Sequence, residues 1–261
     1  AARNRGCGRY EAPRHGARVC NGRGSGCISQ QEDDSKICAT PKNRMAFTHT
    51  EKEIVEVMLH HAGNEKDRPI FSFGQGCEGE PLTEAPLIIE AIARFRAAGG
   101  TGTVNINSNA SMPDALDAMA DAGLSSLRVS LNSAREETYA RYYRPKGYAL
   151  AEVKESIRRA RAKGVFVSLN LLFFPGITDT ELEIASLIDL VATHDVNCIQ
   201  LRNLNIDPEL YLELLDGIDM GPHIGFANFR KRIKKACPAV QFGYFNPFVD
   251  EGDKDGALAG E

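Results

Sequence analysis

The sequence predicts an α/β fold, an incomplete (β/α)6 barrel of the TIM-like type, because strand-like and helix-like segments alternate along most of the chain. The chain has 261 residues, 43% of them hydrophobic, which suits one sizeable core. Polar residues follow the predicted strands. Residues 8–19 make no convincing strand where the first one is expected, so we expect the barrel to be open between its first and sixth strands.

In the first half of this pattern, helices are indicated by apolar spacing and by their ends. Thr50 begins a helix and forms a capping box with Glu53. Residues 85–98 show helical spacing, and a further helix is predicted between a Ser111 N-cap and Gly123. The strands predicted among these helices are 69–73, 104–109 and 127–132.

In the second half, helical residues continue to Lys163 with an interruption at 145–148. Residues 165–174 are apolar enough for a strand buried on both faces, as central parallel strands are. Thr178 and Glu181 form the pattern of a second capping box. The remaining strand predictions are 198–203 and, as a sixth strand, 241–245.

Polar residues gather where the predicted strands end. In a parallel barrel these ends share one rim, which is where active sites are found. Arg202 and Asn203 are therefore candidate substrate contacts; Arg202 would pair with a carboxylate or phosphate of the substrate, or would close a structural ion pair. The rim residues are Gln75 to Glu80, Asn107 to Asn109, Ser130, Asn132, Asn170, Arg202 and Asn203.

Composition narrows the class of protein. The net charge of −4 argues against a nucleic-acid platform, and no run approaches the roughly 20 apolar residues of a membrane span. No signal peptide is visible. The seven cysteines are odd in number and unevenly spread, which does not suggest a disulfide scaffold. We therefore expect a cytoplasmic protein that keeps its thiols for metal binding or packing.

A cysteine-containing loop near the N-terminus lacks one thiol. Cys20 and Cys27 flank Gly24, so the spacing C-x3-C-x2-C, which could hold an iron–sulfur cluster, is missing its middle cysteine. Cys38 and Cys77 are candidate replacements, although each also suits an ordinary loop or packing thiol. About 50 residues later, residues 74–82 read GQGCEGEPL, a turn rich in glycine and acid.

Together these two segments resemble the radical S-adenosylmethionine (SAM) enzymes, over about residues 20–205. That family has C-x3-C-x2-C after its first strand and Gly-Gly-Glu-Pro after its second, and 78–81 fits the latter with its first glycine replaced. The stretch 174–183, FPGITDTELE, is similar to the family's Pro-Gly entry into a helix. The fold this implies is the partial barrel of the radical SAM type.

The resemblance implies a [4Fe–4S] cluster and SAM as cofactors, and an external one-electron donor such as flavodoxin or ferredoxin. In the family, reductive cleavage of SAM gives a 5′-deoxyadenosyl radical that abstracts hydrogen from a substrate. Cys20 and Cys27 would be cluster ligands. The SAM amino group would meet the 78–81 turn, and later residues its carboxylate and ribose. The implied SAM contacts are Glu78, Gly79, Glu80, Pro81, Ser108, Asn109, Ser130, Asn132 and Asn170.

Three other interpretations stay open. The chain could be a SAM-binding or adapter barrel without a cluster, or an unrelated zinc barrel with Cys20, Cys27 and Cys38 as ligands. Residues 1–26, with six arginines and six glycines, fit a disordered or a non-native segment, and so a frame-shifted or truncated gene product. We accordingly divide the chain into 1–26, a core barrel at 27–220, and a C-terminal helix, strand and tail at 221–261.

Overall fold

The computed structural model describes residues 16–19, 49–65, 68–74, 79–203, 206–244 and 246–249. Its seven strands form one parallel sheet in chain order, and the first and last described strands are its edges. This confirms the α/β class and the partial, unclosed barrel. The strands are β1 (Gly16–Val19), β2 (Ile70–Phe73), β3 (Thr103–Ser108), β4 (Ser126–Leu131), β5 (Phe166–Leu172), β6 (Cys198–Arg202) and β7 (Gln241–Gly243).

The expectation that residues 8–19 contain no strand is wrong. β1 pairs in parallel with β2, from Gly16 opposite Ile70 to Val19 opposite Phe73. A four-residue segment has too little local pattern to identify itself, because strand preference depends mainly on the neighbouring strand. With β1 present, β7 is the seventh strand of the sheet and not the sixth.

Helices connect the strands, and two of them, the third and the sixth, begin differently from the predictions. Thr50 and Glu53 do form the predicted capping box. The helix predicted from Ser111 instead begins at Pro113, since the Ser111 backbone N–H bonds Asn109 Oδ1 within the preceding turn. The helices are α1 (Glu51–Asn64), α2 (Ala85–Ala97), α3 (Pro113–Ala122), α4 (Glu136–Tyr143), α5 (Leu150–Ala162), α6 (Glu181–Thr193), α7 (Pro208–Leu214) and α8 (Phe226–Ala236).

The second capping box is also wrong. The N-cap of α6 is Thr180, and its side chain makes no capping bond. Thr178 lies in the turn before the helix, where its hydroxyl donates to the Leu172 carbonyl and accepts from the Phe174 N–H. The Thr178 hydroxyl is thus committed to the end of β5.

The sheet has one apolar and one polar face, because alternate side chains of a strand point to opposite sides. The apolar face packs against the helices in the main core. Its members include Phe71, Phe73, Val104, Ile106, Leu127, Val129, Val167, Leu169 and Ile199. The other, inner face carries Ser72, Thr103, Asn105, Ser126, Arg128, Ser130, Ser168, Asn170, Cys198, Gln200 and Arg202.

The segment 246–249 lies against the inner face of β3. The Val249 N–H donates to Thr103 Oγ1 at 2.7 Å, and that hydroxyl donates to the Val249 carbonyl at 3.2 Å. Asn246 Nδ2 lies 3.4 Å from Asn107 Oδ1 at the other end of the strand. The chain thus returns from β7 to cover part of the concave side. Among the described helices, none has the length and apolarity needed to cross a membrane.

Candidate functional site

Gly74 fixes the start of the turn that follows β2. Its φ is +71°, and a Cβ there would lie 2.3 Å from the Asn107 carbonyl oxygen and 2.9 Å from Pro81 Cγ. Only glycine fits such a contact in this conformation. The Asn107 side chain donates to the Gly74 carbonyl at 3.3 Å, so the turn stays against the end of β3.

Glu80 joins this turn to the turn after β3. Its Oε1 accepts hydrogen bonds from Ser108 Oγ at 2.6 Å and from the Leu82 N–H at 3.1 Å. Its Oε2 accepts from the Asn109 N–H at 2.8 Å. The side chain is only 6% exposed. Three of the residues predicted for SAM contact, Glu80, Ser108 and Asn109, are therefore brought together.

The carboxylate of Glu80 has one acceptor site that no described residue uses. Burial raises the pKa of its carboxyl group, and the hydrogen bonds from Ser108, Asn109 and Leu82 oppose that rise. A carboxylate has about four acceptor sites, and three are used. An ammonium group at the fourth would favour the charged form. The residues present thus fit the amino group of an amino-acid ligand.

The turn after β3 is rigidly held. Ser108 Oγ also accepts from the Ala110 N–H at 2.9 Å, and Asn109 Oδ1 accepts from the Ser111 N–H at 2.9 Å. Ala110 has a left-handed backbone with φ of 56°, and its carbonyl accepts a 2.7 Å bond from Ser156 on α5. The side chains of Ser108 and Asn109 therefore shape the turn first, and any ligand meets an already fixed surface.

The next predicted residues lie on β4 and β5. Ser130 stands opposite Asn170 in the parallel register, and its side chain makes no hydrogen bond to another described residue. Asn170 Oδ1 accepts a 2.6 Å bond from Arg128 Nη2. Asn132 is 2% exposed and donates to the Thr138 carbonyl at 3.1 Å, so it braces the start of α4.

Arg128 is a residue that the sequence reasoning missed. It points to the inner face two positions before Ser130, and the alternation in SLRVSL was the signal that could have revealed it. Burial, together with the smaller effect of the positive charge of Arg202, lowers the pKa of Arg128 to about 10. Among the described residues no carboxylate forms an ion pair with Arg128.

Arg202 is the last residue of β6 and Asn203 follows it, and both are exposed. The positive charge of Arg202 lowers the pKa of Tyr143, against the larger upward effect of burial. Tyr142 and Tyr143 lie in the last turn of α4. Within the part of the chain that the structure describes, Arg202 makes no ion pair.

The proposed metal ligands cannot be placed. Cys20, Cys27, Cys38 and Cys77 lie outside the described residues, as do Gly24 and Glu78. The described residues contain no group of three or more His, Cys, Asp or Glu suited to a metal ion. Cys198 and Cys237 are buried, as expected for packing thiols, and burial raises the pKa of Cys198 to about 11.

Comparison with known proteins gives one family and a set of similar folds. The profile of the Radical SAM superfamily matches residues 17–188. No curated protein sequence matches the chain. A radical SAM methyltransferase from Sphaerobacter thermophilus shares 16% identity with a TM-score of 0.57, over 88% of this chain and 65% of that one.

Two further solved structures are similar at this level. Methylornithine synthase (PylB) shares 14% identity with a TM-score of 0.54, over 87% of this chain and 63% of its own. Streptococcus suis SuiB bound to S-adenosylmethionine shares 11% identity with a TM-score of 0.51, over 78% and 45%. Such identities support the fold alone, and the chain spans roughly half to two thirds of the length of these structures.

Proposed function

The chain belongs to the radical SAM superfamily, and we propose that it binds SAM and a [4Fe–4S] cluster at the rim formed by the ends of β2 to β5. The observation that carries this proposal is the buried Glu80, tied to Ser108 and Asn109 at the turn where the family's Gly-Glu-Pro motif belongs. When bound, the cluster supplies the electron that cleaves SAM to a radical able to abstract hydrogen from a substrate.

Each residue has a defined part in this proposal. Glu80 accepts the SAM ammonium at its remaining acceptor site and holds the turn in place. Ser130 offers a hydroxyl that no described residue engages, which suits a ribose hydroxyl. Asn170 keeps its amide donor for the same ligand while its oxygen stays on Arg128. Gly79, with φ of 124°, brings backbone close to the ligand.

The reaction needs an electron donor and a site from which water is excluded. We propose an external one-electron donor, such as flavodoxin or ferredoxin, and a reducing cytoplasm, which suits an uneven set of seven cysteines. The sheet surrounds the site on one side, and the segment 246–249 covers part of its inner face. Exclusion of water protects a radical from side reactions.

A second candidate function is a SAM-binding barrel that holds no cluster. The observation that favours it is Gly24, which supplies no thiolate between Cys20 and Cys27. Both candidates require SAM binding, so iron content distinguishes them. Anaerobic reconstitution should load iron and sulfide into the enzyme, at fewer than four irons per chain because Gly24 supplies no thiolate, and should leave the adapter barrel empty.

Calorimetric titration of the full chain with SAM tests the site. Ser130→Ala should weaken SAM binding by about 2- to 10-fold, the usual effect of one lost hydrogen bond. Glu80→Ala should weaken it about 10-fold or more, since the partner is an ammonium group. Glu56→Ala, on the exposed face of α1, is the matched control.

Ser130→Ala is the more decisive variant of the two. Its side chain makes no hydrogen bond to a described residue, so its loss should leave the thermal unfolding curve unchanged. If SAM binds both variants as tightly as it binds the original chain, the rim assignment is wrong. If neither the original chain nor any variant binds SAM, the radical SAM activity of this chain is excluded as well.

A further inference from the structure

Two arginines point to the inner face of the barrel near Asn170. Ser130, Asn170 and Gln200 stand side by side on β4, β5 and β6. Arg128 lies two residues before Ser130, and its guanidinium reaches up to Asn170 at 2.6 Å. Arg202 lies two residues after Gln200. The two positive charges therefore flank Asn170 closely enough for Arg202 to lower the pKa of Arg128.

This arrangement of two arginines is energetically unfavourable without an anion beside it. Arg128 is half-buried, and its Nε is fully buried without a hydrogen-bond partner among the described residues. A guanidinium stays charged in proteins and has five donor hydrogens, of which one is used here. Burying such a charge without an anion, beside a second positive charge, costs free energy.

The described carboxylates near the rim accept hydrogen bonds from groups other than these two arginines. Glu80 accepts from Ser108 Oγ and from two backbone N–H groups. Glu183, on α6, accepts from Ser133 Oγ at 2.5 Å and from Thr138 Oγ1 at 2.7 Å. Neither forms an ion pair with Arg128 or Arg202, so among the described residues both arginines lack a compensating anion, which a bound molecule would supply.

Of the two arginines, Arg202 is the more distant from the proposed SAM contacts. Glu80 bonds the end of β3, and Arg202 stands on β6, three strand intervals away in the sheet. At about 4.8 Å per interval that is roughly 14 Å along the sheet. Arg128 lies between them, beside the proposed SAM contacts Ser130 and Asn170, so the side of the concave face that SAM leaves open is the β6 side. A second ligand would occupy that side.

We propose that Arg128 and Arg202 form an anion subsite that binds the carboxylate or phosphate group of the molecule on which this enzyme acts. The planar guanidinium fork is matched to the two oxygens of either group. The proposal rests on the proposed function, because the anion is that of its substrate. It defines the substrate class as a small anionic molecule held on the β6 side of the proposed SAM site.

Calorimetric titration of the full chain at low salt tests this proposal with two probes, malonate and inorganic phosphate. We expect at least one of them to bind, and each of Arg128→Gln and Arg202→Gln to weaken that binding about 10-fold. Arg230→Gln is the control with the same change of charge, on the outer helix α8 where the guanidinium lies over the Phe242 ring. SAM affinity should be the same in Arg202→Gln and Arg230→Gln, whereas Arg128→Gln also removes the hydrogen bond that holds the proposed SAM contact Asn170.

The outcomes are distinct. Binding of malonate alone supports a carboxylate substrate, and binding of phosphate alone supports a phosphorylated one. Failure of both probes to bind, or equal binding to every variant, overturns the proposal. A loss of SAM affinity in Arg202→Gln also overturns it, because the anion is then the SAM carboxylate. If Arg128→Gln fails to fold, the exposed Arg202→Gln decides.

The same data keep the two proposals apart. If SAM fails to bind the original chain while anion binding still depends on both arginines, the proposed function is wrong and the anion subsite stands. If SAM binds and neither anion probe binds, the anion subsite is wrong and the proposed SAM site stands.

Discussion

At the scale of single residues, several polar groups on the inner face lack a hydrogen-bond partner among the described residues. These groups are Asn105 Oδ1, Ser126 Oγ, Arg128 Nε and Ser168 Oγ, and all four are buried. Each such group carries a desolvation penalty that a folded core normally avoids. Their concentration on one face distinguishes the inner face of the sheet from the apolar face that packs against the helices.

Arg128 and Asn170 should therefore reduce stability in the free chain. We expect Arg128→Met combined with Asn170→Leu to raise the free energy of unfolding by about 1 kcal/mol, since apolar groups replace both members of a half-buried polar pair. Chemical denaturation measures the change. Arg161→Met is the contrast. Arg161 forms an ion pair with Asp195 at 2.7 Å, so this variant should have a lower free energy of unfolding than the original chain. A destabilised double variant would contradict this account.

The residue types of the site could be predicted, but their partners could not. The sequence places Glu80 in the motif and Ser108 and Asn109 at a strand end. The 2.6 Å bond between Glu80 and Ser108 joins residues 28 positions apart, so it depends on the register of β2 against β3. Arg128 was missed for a similar reason, because its role depends on Arg202 and Asn170 on two other strands.

At the scale of elements, most strands were predicted correctly, including the short β2 and β7, whereas β1 and the segment 246–249 were not. β5 is buried along its whole length, as its apolar run indicates. β1 has four residues, and its pairing with β2 defines it. The segment 246–249 has no strand pattern at all, yet it is fixed against β3 by the hydroxyl of Thr103. Contacts across the barrel leave no local trace in the sequence.

Thr103→Val should release the segment 246–249. The substitution keeps the shape of the side chain but leaves the Val249 N–H and carbonyl without their partner, which costs about 1–3 kcal/mol. We expect a lower unfolding free energy and faster cleavage by chymotrypsin after Phe248. Thr193→Val, at the exposed end of α6, is the control and should change stability by less than about 0.5 kcal/mol. Unchanged cleavage would show that other contacts hold the segment.

At the scale of the whole molecule, the fold is that of the family while the cluster loop departs from it. The family profile begins at residue 17, so it includes Cys20, Gly24 and Cys27. β1 ends at Val19, directly before Cys20, which is where the family places its cluster loop. The chain thus has the strand that leads into the loop but two thiolates where three are expected. The division of the chain at residues 26 and 220 stays a prediction.

Iron content of the whole chain is the last prediction. We expect the original sequence to bind a cluster poorly, because two thiolates from one loop hold three irons weakly. We expect Gly24→Cys to raise both the iron content and the reductive cleavage of SAM after anaerobic reconstitution. Gly22→Cys adds the same thiol at the wrong spacing, and Gly24→Ser adds a side chain of similar size with no thiol. Neither should raise iron content.

The alternatives give different results in the same experiment. About four irons in the original chain would mean that Cys38 or Cys77 supplies the third ligand, and replacing each by serine would identify which. Equal iron in the Gly24→Cys and Gly22→Cys chains would mean that the thiol spacing of this loop does not control loading. No gain in either variant would remove Cys20 from the ligand set, because a complete C-x3-C-x2-C loop after β1 should then have captured the cluster.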